Sequence, residues 1–157
     1  MNHEKEVRLV GTVLNRSSHV CVFYHSQGEE YQILLPFIKE GFERGDKIFH
    51  IIDDRNRQEH FRHLKDADID VSEVNGEGRI EIRGWETAHL RPGWFDQHAM
   101  LALVEEVLTK AKSQGFAFTR WVANMGWALK DVPGTRDLVE YCARLNYVVS
   151  KYDATIV

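Results

Sequence analysis

Cysteine and proline are both scarce: two cysteines, Cys21 and Cys142, and three prolines in 157 residues. Two thiols exclude a disulfide-stapled secreted scaffold, and their place inside apolar segments predicts buried free thiols in a reducing compartment. With so few prolines and no serine- or glycine-rich tract, no linker, repeat or low-complexity region is visible. An excess of positive charge is lacking too. The formal charge of −4 offers no basic stripe to nucleic acid and nothing to an anionic membrane surface. No apolar run approaches the roughly 20 residues that span a bilayer, and the polar start Met1-Asn2-His3-Glu4-Lys5-Glu6 is no signal peptide. The expectation is a cytoplasmic protein with residues 1–6 disordered and a single domain over 1–157.

Catalytic motifs are missing as well. There is no G-x-x-x-x-G-K-[ST] phosphate loop and no G-x-S-x-G nucleophile elbow. What the chain does have is strand and helix in alternation. Val7 to Leu14 reads as a short strand or extended lead-in, and His19 to Tyr24 as a strand covered on both faces. Ser26-x-x-Glu29 fits a capping box for a helix whose stripe is Tyr31, Leu34, Leu35, Ile38 and Phe42, kinked at Pro36 and closed by Gly45. Lys47 to Ile52 is a second buried strand, followed by a helix capped at Asp53 or Asp54 and running to Lys65. Ile69 to Val74 and Arg79 to Arg83 read as short strands around Asn75-Gly76-Glu77-Gly78. Asp96 caps a long helix closed by Gly115. Phe116 to Ala123 is a strand, Thr135 to Ser150 a helix, and Ala154 to Val157 a last strand, as if the chain were trimmed. This order predicts an α/β fold, a mostly parallel sheet with helices on both faces.

In such sheets ligands bind outside the carboxyl ends of the strands, where the chain order reverses. That rule selects Tyr24-His25, Asp53-Asp54, Gly84-Trp85 and Asn124-Met125. The crevice is hostile to a triphosphate. Glu29 and Glu30 stand where a phosphate cradle wants amides and a lysine, and Asn124 stands where a magnesium-organising carboxylate is needed.

The pattern Gly11, His19-x-Cys21-x-Phe23-Tyr24, Glu29-Glu30 and Pro36-Phe37-x-x-x-Gly41 resembles the MEDS domain, the methanogen/methylotroph DcmR-type sensory domain. Gly93-x-Phe95-Asp96, Arg120-Trp121, Met125-x-Trp127, Tyr141 and Asn146 extend the resemblance from about Val7 to Val157. It implies a RecA/KaiC-like three-layer sandwich without a working phosphate loop. It also implies a sensory input module, fused in relatives to DNA-binding, histidine-kinase or anti-sigma-type regions and detecting small hydrocarbon derivatives. Set against that resemblance, the sequence stops where the family usually runs on into Cys-x-Tyr, and no output module is expected within residues 1–157.

Each candidate residue has a structural alternative. His19, Cys21 and His25 are soft ligand types, but His25 falls past the strand end and no fourth ligand is near, so no metal is expected. His60 and His63 read as solvated. Glu29 is explained by the capping box; Glu30 either turns to the crevice or serves the helix N-terminus. Arg120 inside a strand needs a partner, whether Glu30, Asp53, a ligand anion or water at the end of its stem. Tyr24, Trp85 and Trp127 suit pocket walls and core closure equally.

The leading expectation is a non-enzymatic sensor of a small, largely apolar ligand, without cofactor, nucleic acid or membrane, signalling to a fused output module or regulatory partner and open to homo-oligomer formation. Its ligand-binding set is Tyr24, His25, Glu30, Asp53, Trp85, Arg120, Asn124 and Trp127. The alternatives are a degenerate nucleotide-binding ATPase module and an interaction domain with a vestigial pocket.

Overall fold

The computed structural model describes residues 6–69, 71 and 78–157. Strands β1 (Val7–Leu9), β2 (Thr12–Leu14) and β3 (Ser17–His19) precede helix α1 (Gln27–Arg44); β4 (Lys47–Ile52) leads into α2 (Arg57–Asp66). Then come β5 (Ile80–Gly84), α3 (Gln97–Ser113), β6 (Thr119–Ala123), α4 (Leu138–Val149) and β7 (Ala154–Ile156). β1 and β2 form a separate antiparallel hairpin. Its turn places Val10 and Gly11 at positive φ, 49° and 74°. The other five strands make one all-parallel sheet in the order β3-β7-β6-β4-β5.

Every residue of β4 is buried, as the continuous apolar reading of Lys47–Ile52 requires of a central parallel strand. Successive side chains alternate between faces. Ile48 joins Leu34, Phe37 and Ile38 of α1 and Leu64 of α2 in one apolar cluster. Phe49 and Ile51 join α3, α4, Trp121 and Ile156 in the other. The result is a three-layer α/β sandwich.

Local signals set the helix ends. Gly45 closes α1 with φ 82°, and Asp46 N–H reaches back to Gly41 O at 2.9 Å, the bonding that a left-handed closing residue permits. α1 runs unbroken through Pro36. Asp96 Oδ1 accepts from the His98 and Ala99 amides at 2.9 and 3.0 Å, starting α3 as its sequence predicts. Asp53 caps a single 3-10 turn, Asp54–Asn56, ahead of α2.

The first sheet strand departs from expectation. It is Ser17–His19, and the chain leaves the sheet after Val20 N–H bonds Ile156 O at 2.8 Å. Past that bond Cys21 is exposed and Phe23 is 92% exposed. Cys142, expected buried, is only half-buried. Residues 1–5 and most of the Ile69 to Gly78 stretch, for which disorder and a strand-turn were expected, lie outside the described residues.

A polar crevice at the carboxyl ends of β4 and β6

β4 has β5, its successor in the sheet, on one side and β6 on the other. The chain order therefore reverses between β4 and β6, and the carboxyl ends of these strands open the crevice that such a reversal creates. Asp53 follows β4 and Asn124 follows β6.

α1 supplies the roof. Ser26 Oγ accepts the Glu29 amide at 3.2 Å, and the Glu29 carboxylate accepts the His25 amide at 2.6 Å. That reciprocal cap spends Glu29 and leaves Glu30, about a hundred degrees around the helix, to turn inward. Glu30 Oε1 accepts from Asn124 Nδ2 at 2.9 Å. Asn124 is held from every side. Its Oδ1 accepts the Gly126 amide at 3.0 Å, its carbonyl accepts Trp85 Nε1–H at 2.9 Å, and its own amide donates to Ile51 O at 2.8 Å. Those partners fix which way the side-chain amide points.

Beside this pair runs a chain of rings. His50, in the middle of β4, has no exposed surface, and its Nδ1 lies 3.1 Å from His60 Nε2 on α2. His60 Nδ1 lies 3.1 Å from the Tyr31 hydroxyl, and the Tyr31 ring stacks on His63 with centroids 3.8 Å apart. His50 Nε2 is buried without a partner. An unpaired ring lone pair is cheaper to bury than an unpaired N–H, so His50 Nδ1–H donates to His60, and His60 Nδ1–H donates to Tyr31.

Electrostatics follow from burial. Desolvation drives the His50 pKa well below the ordinary imidazole value. His60 falls to about 4, through burial first and then the nearby His63 and Arg57 charges. Both rings are neutral at neutral pH. Burial raises Glu30 against the opposing Asn124 hydrogen bond, and burial together with the Glu30 charge raises the Tyr24 and Tyr31 phenols. Asp53 is held low by its hydrogen bonds from Arg55, the Nε–H bond being 3.0 Å. Glu30, Tyr31, His50, Asp53, His60 and Asn124 line a cavity of about 30 Å³. That volume accommodates about one water. A wider cleft of about 320 Å³ lies at the opposite, amino-terminal ends of the strands, beside Ser17, Thr119 and Asp153.

Of the residues selected from sequence, Glu30, Asp53 and Asn124 line this cavity, Tyr24 lies within the electrostatic reach of Glu30, and Trp85 backs Asn124. Lys130 and Arg55 sit over the Trp85 ring, 4.7 and 5.9 Å from its centroid. His25 is exposed. Arg120 is elsewhere: fully buried, it binds Asp46 at 2.8 Å, Glu40 at 2.9 Å and the Phe37 carbonyl at 2.8 Å. Its position at the amino end of β6 aims it away from the crevice. Trp127 is also a core residue, fully buried against Phe95 and His89. His60, read from sequence as solvated, is buried because α2 lays it over His50. Tyr31, His50 and His60 were not selected from sequence. The signal available was His50, a lone polar residue within the otherwise apolar Ile48–Ile52.

The sequence model of the family described as MEDS, the methanogen/methylotroph, DcmR sensory domain, matches residues 18–157. No curated protein matches the chain. Among solved structures the chain is similar to a KaiC-like protein of the hyperthermophilic archaeon Pyrococcus horikoshii OT3, at 19% identity with a TM-score of 0.64 over 98% of this chain. The chain spans 66% of that protein's length. At such low identity the likeness shows the fold alone.

Proposed function

The chain belongs to the MEDS family of sensory domains, and from that premise we propose that it is a non-enzymatic input module whose β4–β6 crevice binds a small, neutral or cationic molecule bearing a hydrogen-bonding group. The observation that carries this reading is the Glu30–Asn124 pair, 2.9 Å apart at the sheet's reversal point. A carboxylate and an amide there offer an acceptor and a donor to a polar handle. With Asp53 on the same cavity and no lysine among its lining residues, they repel a triphosphate. The neutral His50–His60–Tyr31 chain adds polar contacts of no net charge, suited to a hydrocarbon derivative.

A cavity of about 30 Å³ is far below the roughly 300 Å³ where drug-sized sites begin. Binding therefore requires the first turn of α1 to move off the sheet. A ligand that fits only the opened crevice shifts the population toward it, and a regulatory partner or output module reads the position of α1.

A thermal-shift screen of short-chain alcohols, amines and halogenated alkanes tests the reading. A hit at a hundredfold excess over Kd stabilises the native state by about 2.7 kcal/mol. Asn124→Ala is expected to weaken every such hit tenfold or more. Hits indifferent to Asn124→Ala would remove the crevice from the account.

The small cavity also favours a second reading, an interaction domain whose crevice is filled by its own side chains. It predicts no hit at all, together with a partner captured by the full chain. The nucleotide-binding alternative predicts saturable magnesium-dependent ATP binding by calorimetry, where the sensor reading predicts a flat titration.

A further inference from the structure

Another cluster lies off the crevice, where β3 meets α4. His19 ends β3, and the chain stays extended past it because Val20 N–H still bonds Ile156 O at 2.8 Å. Residues two apart on an extended chain point the same way, which brings Cys21 to the side of His19. Cys142 comes from α4. One ligand atom from each of these three residues lies within 4.8 Å of the other two. The two thiols interact directly. The His19 imidazole faces the Asn146 side chain and the Cys142 carbonyl, which favour its proton against the effect of burial, and Asn146 Nδ2–H donates to that same carbonyl at 3.1 Å.

We propose that His19, Cys21 and Cys142 form a binding site for a thiophilic divalent cation, zinc(II) by charge, with the fourth coordination position open to water or a ligand. One imidazole and two thiolates are the donors a borderline-soft dication prefers, and two thiolates neutralise it. Tetrahedral zinc with bonds of roughly 2.0 Å to nitrogen and 2.3 Å to sulfur needs donor atoms roughly 3.5–4 Å apart. The three ligand atoms, within 4.8 Å of one another, reach that spacing by side-chain movements of about an ångström or less. Binding releases the two thiol protons to solvent and involves no oxidation. Asn146 and the Cys142 carbonyl stand where the outer partners of a ligating histidine stand: one ring N–H directed to them leaves the other ring nitrogen for the metal. Exposed Cys21 supplies the entry path. A structural thiol pair would be expected inside the core, and this one opens to solvent. The site is independent of the crevice reading, since it shares no residue with it.

Cobalt(II), titrated into the full chain kept reduced with a phosphine, is the probe. The expected result is one equivalent bound, with thiolate-to-cobalt charge-transfer bands and the visible bands of tetrahedral cobalt, both bleached by zinc(II). Cys21→Ser changes an exposed residue and is expected to fold normally by circular dichroism while losing at least tenfold in cobalt affinity. Cys142→Ser and His19→Gln are expected to lose as much. Absence of charge-transfer bands, or bands that survive Cys21→Ser and Cys142→Ser, overturns the site. So does a reduced chain that ignores cobalt yet closes a Cys21–Cys142 disulfide in air.

Discussion

His60 shows how one side chain ties stability to pH. In an unfolded chain an imidazole takes up its proton near pH 6.5, whereas in the fold His60 resists until about pH 4. Between those values the unfolded chain binds more protons, so stability is complete above about 6.5 and drains away as the pH falls toward 4. Buried His89, lowered to about 3 by desolvation, and His50 act in the same direction. Urea unfolding at pH 7 and pH 4.5 is expected to show His60 alone accounting for about 2–3 kcal/mol of the loss. His60→Gln is expected to remove that share of the pH slope, and an unchanged slope would place the titration elsewhere. The three buried imidazoles were hard to read from the chain. Histidine is intermediate in its burial preference, and only His50, between Phe49 and Ile51, sits where its neighbours declare it inside.

Arg120 links two elements, and its surroundings explain an otherwise arbitrary glycine. The guanidinium of β6 lies between Asp46 and Glu40 over the Phe37 ring. It passes so close to α1 that a Cβ on Gly41 would overlap the Arg120 side chain. Arg120→Ala leaves Asp46 buried and uncompensated and is expected to cost about 3–5 kcal/mol. Gly41→Ala in the natural background is expected to cost about 1–3 kcal/mol through overpacking, and much less once Arg120 is truncated. Denaturant unfolding of the double-mutant cycle measures that coupling; simple additivity would contradict the packing described.

The bounds of α1, β4 and α3 were legible because Ser26, Gly45 and Asp96 carry explicit cap chemistry and Lys47–Ile52 is apolar apart from Lys47 and His50. The segment after His19 was not. Val20, Val22 and Phe23 have strand composition, but whether a strand continues depends on the ladder bonds it finds in the sheet, which composition does not give. The partners of Arg120 were equally hidden, since Asp46 and Glu40 reach it only once α1 has packed on the sheet.

Two apolar cores, one on each face of the five-stranded sheet, leave the polar groups between β4 and β6 as a seam open at the carboxyl edge. The crevice was legible in outline, because the reversal rule acts on topology and picks out Asp53 and Asn124, which line it, without knowing any contact. Its second half was not, since Tyr31, His50 and His60 meet only when α1 and α2 are laid on the same face. On the proposed reading, sensing depends on widening this crevice beyond its cavity of about 30 Å³. Imidazole nitrogen NMR of the histidine-labelled chain reads that opening, titrated with the strongest thermal-shift hit. The account predicts that the His50 and His60 resonances shift on binding, saturating with the thermal effect, while exposed His98 stays in place. A hit that stabilises the fold and leaves His50 and His60 unmoved would contradict it.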